Sequence, residues 1–296
     1  MSDRLLGADE PAAVSIARAQ GRSPVFLTCD HASNRIPAAL GTLGLDETQR
    51  ARHIAWDIGA AGVSRHLSGM LDATLVLQNY SRLVIDCNRP RDHESLIPQV
   101  SEATPIPGNH ALDERARAQR VAEIFDPYHD AIGRLLDARR ERPTVLVAIH
   151  SFTPVYLEQT RPWHIGVLYG ADPRVANHLL EHFGAHDTVA VGDNEPYRID
   201  DKDFSIPVHG EARGIPEQGA RRGFFRCATG FAIVAAQPAI RRSTRMSNEP
   251  LKAVLRDENA VREVIGAPME LAVKKAIPQL DKFSRELIER SPFLTL

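Results

Sequence analysis

Two histidines stand where apolar runs give way to polar loops. His31 follows Val25-Phe26-Leu27-Thr28-Cys29-Asp30 and leads into Ala32-Ser33-Asn34; His150 follows Val145-Leu146-Val147-Ala148-Ile149 and leads into Ser151. Short runs of this kind read as buried strands, and open α/β sheets place their chemistry at the carboxyl ends of strands. Two imidazoles delivered to two such ends are the beginning of a metal site. A catalytic zinc takes three protein ligands and keeps a fourth position open. Asp57, in Trp56-Asp57-Ile58-Gly59, is the candidate third ligand; a helix N-cap is its competing role. Asp30 is the runner-up: if Thr28, Asp30 and His31 keep strand geometry, Asp30 and His31 point to opposite faces, which weakens it.

A second cluster is Tyr80-Ser81-Arg82-Leu83-Val84-Ile85-Asp86-Cys87-Asn88-Arg89. Guanidinium groups suit bidentate capture of a carboxylate, so Arg82 and Arg89 are candidate substrate clamps, with Asp86 orienting or pairing Arg89. A third is Asp193-Asn194-Glu195-Pro196-Tyr197, where Asn194 and Tyr197 offer donors to a polar substrate. Ser33 and Ser151 lie close behind histidines, but no Gly-x-Ser-x-Gly elbow exists. Gly166, Gly170 and Gly192 form no phosphate cradle. Arg139-Arg140-Glu141-Arg142 reads as a solvated helix end.

The elements needed to hold these groups follow from the pattern. Strands are expected at Val25–Cys29, Thr74–Gln78, Leu83–Cys87, Val145–Ile149, Ile165–Tyr169, Thr188–Val191 and Phe231–Ala236. Asp46 is placed to N-cap a helix, and helical spacing runs from Asp57 to Leu71 and from Leu112 to Arg140, the latter broken at Asp126-Pro127. Asp172-Pro173 opens a helix through Phe183. Residues 92–109 form a long loop. The alternation predicts an α/β three-layer αβα sandwich with a mixed central sheet.

With 296 residues, 43% of them hydrophobic, the chain has ample material for a core. A net charge of −2 gives no bulk field for nucleic acid or anionic membrane. Three widely spaced cysteines (Cys29, Cys87, Cys227) make no disulfide framework. No signal peptide and no spanning segment is evident, so a cytoplasmic location is expected.

Taken together, Cys29-Asp30-His31-Ala32-Ser33-Asn34-Arg35-Ile36-Pro37, Trp56-Asp57-Ile58-Gly59, the Tyr80–Arg89 run, Ile149-His150-Ser151-Phe152-Thr153-Pro154 and Gly192-Asp193-Asn194-Glu195-Pro196-Tyr197 resemble the N-formylglutamate amidohydrolase family from about Ser23 to Pro216. The resemblance implies a zinc-exopeptidase-like fold, a role in histidine degradation, and hydrolysis of an N-acyl amide on glutamate or a related amino acid. It makes His31 and His150 ligands of Zn2+ or another divalent metal, with Asp57 added on position and chemistry. The candidate substrate-binding set is Arg82, Asn88, Arg89, Ser151, Asn194 and Tyr197, for a small acidic N-acyl amino acid. A non-catalytic binding protein and a metal-independent serine or cysteine amidase are the alternatives.

The chain departs from that family at its end. After Gly214-Ile215-Pro216 the family pattern leads into a strand carrying a glutamate, the general base of the related exopeptidases; here Glu217-Gln218-Gly219-Ala220-Arg221-Arg222 stands instead. One lysine, Lys202, precedes Met246 and four follow it. The segment from Met246 weakly resembles the start of a pyridoxamine phosphate oxidase-like flavin protein. The sequence therefore divides into an incomplete amidohydrolase domain (1–216), an aberrant linker (217–245) and a helical tail (246–296). A frameshift joining two reading frames accounts for this division.

Overall fold

A computed structural model describes residues 4–170, 172–185, 190–211 and 228–236. Its core is a seven-stranded mixed sheet, in the order β1 (Val14–Ala17), β3 (Thr74–Gln78), β2 (Val25–Cys29), β6 (Thr144–Phe152), β11 (Ala228–Ala236), β9 (Ile165–Tyr169) and β10 (Val191–Asp193). β3, β2, β6 and β11 run parallel; β1 is antiparallel to β3, β9 is antiparallel to β11, and β10 is parallel to β9. Two small ladders, β4 (Val100–Ser101) with β5 (Thr104–Pro105) and β7 (Val155–Tyr156) with β8 (Gln159–Thr160), stand apart from the sheet.

The central strands are apolar on both faces because both faces are covered. Val25, Leu27, Leu75, Leu77, Val145, Val147 and Ile149 pack with α2 (Ala60–Leu71) and α5 (Arg174–Gly184). Phe26, Val76, Leu146 and Ala148 face the opposite core, with α4 (Asp126–Asp137) and the 83–106 segment. α1 (Glu47–Arg50) is a single turn, closed by the expected cap at Asp46 as a capping box with Gln49.

The structure corrects several expectations. Leu83–Cys87 is not a strand. It is a buried series of turns whose amides bond to Ser81 and Leu96 carbonyls rather than to a ladder. A short apolar run signals burial, and its period alone does not fix strand geometry. The Leu112–Arg140 helix divides into α3 (Glu114–Arg120), a π-helical turn (Val121–Phe125) and α4, so the break falls just before Pro127. Arg139 is buried, not solvated: it donates to Thr74 and Thr144 hydroxyls and to Gly21 and Ser23 carbonyls, satisfying backbone at the start of the strands. The strand expected at Thr188–Val191 is found at Val191–Asp193, and residues 186–189 lie outside the described set. β1, a short edge strand, was not anticipated. Phe231–Ala236 is part of β11, within the stretch read as linker, and it occupies the sheet between β6 and β9. Cys227 and the tail from residue 237 lie outside the described residues. Among the described residues no helix is long and apolar enough to cross a membrane.

Candidate active site

β2 ends at Cys29 and β6 runs through His150 to Phe152, so the two histidines leave neighbouring parallel strands at the same end. The Asp57 amide donates to the His31 carbonyl at 3.0 Å, which pins the approach to α2 against the end of β2. Gly59, at φ +89°, takes the N-cap position, so Asp57 is relieved of capping and its carboxylate turns inward. Asp57 Oδ2 lies 2.9 Å from His150 Nδ1 and 3.4 Å from His31 Nδ1, and accepts the Ser151 amide at 3.2 Å. The ring centroids are 5.1 Å apart, and one ligand atom from each of His31, Asp57 and His150 falls within 4.8 Å of the others.

The outward nitrogens also face carboxylates. His31 Nε2 is hydrogen-bonded to Asp86 Oδ1 at 2.8 Å, whereas His150 Nε2 lies within ion-pair distance, 3.3 Å, of Asp30 Oδ2, a buried oxygen without a hydrogen-bond partner among the described residues. Asp86 also accepts from Arg82 at 2.6 Å and from the Asn88 amide. Asp30 Oδ1 accepts from the Tyr128 hydroxyl at 2.5 Å and the Ser205 hydroxyl at 3.0 Å. Both imidazoles thus turn Nδ1 toward Asp57 and Nε2 toward a buried carboxylate. Metal-ligating histidines are commonly oriented by such an outer partner.

The charge balance fits a dication. Asp30, Asp57 and Asp86 bring three negative charges into a buried cluster that holds one guanidinium, Arg82. Two positive charges complete it, either as protons on the two imidazoles or as a divalent ion. Burial opposes ionisation of Asp57, yet His31 and His150 hold its carboxyl far below the usual range. Burial likewise opposes charge on His150, but Asp30 and Asp57 overcome this and raise it to about 10. His31 is raised in spite of burial and Arg82, through Asp86 and Asp57.

Asp30 therefore corrects the strand-face argument. The chain turns after Cys29, and Asp30 and His31 reach one site from different sides. Asp86 corrects another assignment, for it serves Arg82 and His31 rather than Arg89. Arg89 bonds the Asn88 and Lys202 carbonyls and Asp203.

These groups open into a cleft of about 430 Å³, lined also by Arg82, Asn88, Arg89, Ser151 and Tyr197. Asn88 is spent as a strut: it donates to Asp203 and accepts the Phe204 and Ser205 amides. Tyr197 receives a hydrogen bond from Arg161 at 2.7 Å, and that guanidinium stacks over both Tyr156 and Tyr197. Asn194 is not among the cleft-lining residues. It sits at φ +52° and accepts the Tyr169 amide. Sequence reasoning missed His53 and Glu102, which also line the cleft. Both come from irregular segments without a periodic signal. Beside the site, β11 pairs Val234 with His150, and Ala228–Ala236 contains no carboxylate.

The sequence model of the N-formylglutamate amidohydrolase family matches residues 23–218. N-formylglutamate deformylase of Pseudomonas putida is 28% identical over 178 residues, 54% of this chain and 66% of that protein's length. The crystal structure of a gene product from Agrobacterium tumefaciens is 33% identical and superposes with a TM-score of 0.77, covering 94% of this chain and 100% of the other. N-formylglutamate amidohydrolase from Ralstonia eutropha JMP134 shares the fold at 18% identity, with a TM-score of 0.58 over 91% of this chain and 99% of its own. The matched stretch contains every residue of the buried cluster, and on this evidence the chain belongs to the N-formylglutamate amidohydrolase family.

Proposed function

We propose that this chain hydrolyses the amide of a small acidic N-acyl amino acid, N-formylglutamate or a close relative, with zinc or another divalent ion held by His31, Asp57 and His150. The observation that carries this reading is the convergence of two imidazole Nδ1 atoms on one carboxylate oxygen, with each Nε2 backed by a second carboxylate. The chemistry such an ion supplies is polarisation of the acyl carbonyl and acidification of water. The helices on both faces of the mixed sheet agree with a zinc-exopeptidase-like layering.

The protein's own groups do the rest. Arg82 and Arg89, which both line the cleft, are the guanidiniums available to attract the substrate carboxylates, each held in place by its own protein partners. Ser151 lines the cleft beside His150, and its backbone amide fixes Asp57. The Tyr197 oxygen already accepts from Arg161, so its own proton is available to a substrate oxygen. Addition of water and cleavage of the C–N bond give a carboxylic acid, formate when the acyl group is formyl, and the free amino acid.

A binding protein without turnover is the second reading, favoured by the lack of a carboxylate in β11 beside His150. A cysteine amidase built on either described cysteine is disfavoured: burial, reinforced by nearby aspartates, raises the Cys29 thiol, and burial raises Cys87 as well. The test is metal content and formate release on N-formylglutamate, before and after chelation. The hydrolase reading expects turnover that chelation abolishes and zinc restores. Turnover undiminished in metal-free protein refutes the metal, and zinc binding without turnover refutes the hydrolase.

A further inference from the structure

His53 and Glu102 line the same cleft and form an ordered array with Arg52 and Thr104, which are not among its lining residues. Glu102 Oε1 lies 2.8 Å from His53 Nε2, and Glu102 Oε2 accepts from Arg52 at 2.7 Å. Arg52 is fixed in turn by a 2.8 Å bond to the Thr104 hydroxyl. Glu102 occupies the turn between β4 and β5 at φ +52°, a conformation that a side chain other than glycine, Asn or Asp adopts only when its surroundings demand it. Glutamate between an arginine and an imidazole is an acceptor on both oxygens, so His53 presents Nε2–H to it. Nδ1 is then the unprotonated nitrogen. The His53 side chain retains 26% of its exposure and lines the cleft together with Glu102, His31, Asp57 and His150. His53 and Glu102 therefore open into the same cleft as the buried cluster.

Amide hydrolysis needs a group that takes a proton from water and returns one to the leaving nitrogen. β11 supplies no carboxylate for this. His31 and His150 each lie between two aspartates, Asp86 and Asp57 for the first and Asp30 and Asp57 for the second, and Asp203 is bound to Asn88, Arg89 and the Asp200 amide. We infer that His53, oriented by Glu102, is the proton carrier of this cleft. In this step water adds to the acyl carbon as His53 Nδ1 accepts its proton. The C–N bond then breaks as that proton passes to the departing amine, and His53 returns to its neutral form. Glu102 is a positioning residue, holding the tautomer and the ring. The inference rests on the hydrolytic reading of the site.

The test compares wild type with H53Q and E102Q, each checked by thermal melting for an intact fold, on N-formylglutamate with zinc present. H53Q is expected to lower kcat by about 100-fold or more with KM changed by less than about threefold, and E102Q to lower it by about tenfold, the range removed with a positioned acid–base group. The double variant should be no slower than H53Q, because the two act as one unit. Nitrogen-15 NMR of ring-labelled histidine supplies a readout independent of turnover. His53 should appear as the Nε2–H tautomer in wild type and lose that preference in E102Q. An H53Q variant with full kcat overturns the inference, as does a wild-type Nδ1–H tautomer or a tautomer that E102Q leaves unchanged. A wild type that releases no formate overturns the hydrolytic reading instead, and the NMR result then still decides whether Glu102 poises His53 as inferred.

Discussion

The carboxylates behind the two histidines can be tested without any assay of turnover. Asp86 accepts from His31 Nε2 at 2.8 Å and from Arg82 at 2.6 Å. Asp86→Asn removes a negative charge and leaves one acceptor oxygen for three donors, His31 Nε2, Arg82 and the Asn88 amide. It also frees Arg82, whose NH1 already lies 3.7 Å from Asp57 Oδ1, to pair with the proposed ligand itself. Both effects oppose metal binding. An outer partner of this kind is worth about 10- to 100-fold in metal affinity, or roughly 1.4–2.8 kcal/mol at 1.4 kcal/mol per decade. The released arginine places Asp86→Asn toward the upper end. Asp30→Asn differs in kind. If its oxygen keeps the Tyr128 and Ser205 hydroxyls, its amide nitrogen confronts His150 Nε2–H, donor against donor. That variant should lose folding stability as well as metal affinity. Competition against a chromophoric chelator reads affinity in wild type and both variants, and urea unfolding of the chelated proteins reads stability. Zinc affinities within about threefold of wild type in both variants would refute the assignment of Asp30 and Asp86 as orienting partners.

Arg82→Ala should weaken binding of an acidic N-acyl amino acid by about 2–5 kcal/mol, the range for truncating one member of a desolvated charge pair. The lower end is expected because the side chain is 27% exposed, and an unchanged dissociation constant in calorimetry removes it from the substrate site. His129 is held neutral by burial, its ionisation lowered to about 4, so the unfolded chain binds its proton first as the pH falls. Its contribution is whole above about pH 6.5 and is lost toward pH 4, a decline of about 3 kcal/mol. Urea unfolding at pH 7 and pH 4.5 checks this, and a decline equally large in His129→Asn assigns it to other groups. If residues 217–245 are out-of-frame sequence, limited proteolysis should cut first between Pro216 and Met246. A segment as resistant as residues 23–211, in a protein that turns over N-formylglutamate, refutes that origin.

The histidines and Asp57 were legible because their types and spacing survive translation into chain geometry: two strand ends and a Trp-Asp-Ile-Gly turn lead to one centre. Asp30 was misread for a definable reason. Strand alternation was extended two residues past the strand end, through Asp30 to His31, and beyond Cys29 the pleat no longer dictates direction. Asp86 was misassigned because its apolar run reads as an extended strand, which would hold residues 82 and 86 about 13 Å apart. The turns found here instead fold Asp86 back to bond both Arg82 and His31. His53 and Glu102 are 49 positions apart in irregular segments, and no local pattern joins them.

β11 shows how far fold and chemistry can separate in this family. A strand between parallel β6 and antiparallel β9 must supply a pairing backbone, and Ala-Thr-Gly-Phe-Ala-Ile-Val-Ala-Ala does so for nine residues. Many apolar sequences meet that demand, because the ladder is built from main-chain groups and the sheet asks little of side-chain identity. Proton transfer beside His150 requires an ionisable group, and Val234 holds that register position. The family match ends at residue 218, ten positions before β11 begins. A chain of this composition can complete the sheet and hold the buried cluster while carrying a different residue set for the proton. If His53 fills that part, a β11 without a carboxylate is compatible with the reaction. If it does not, the same architecture leaves a site that binds and does not turn over. The kcat of H53Q, set beside that of wild type, separates the two.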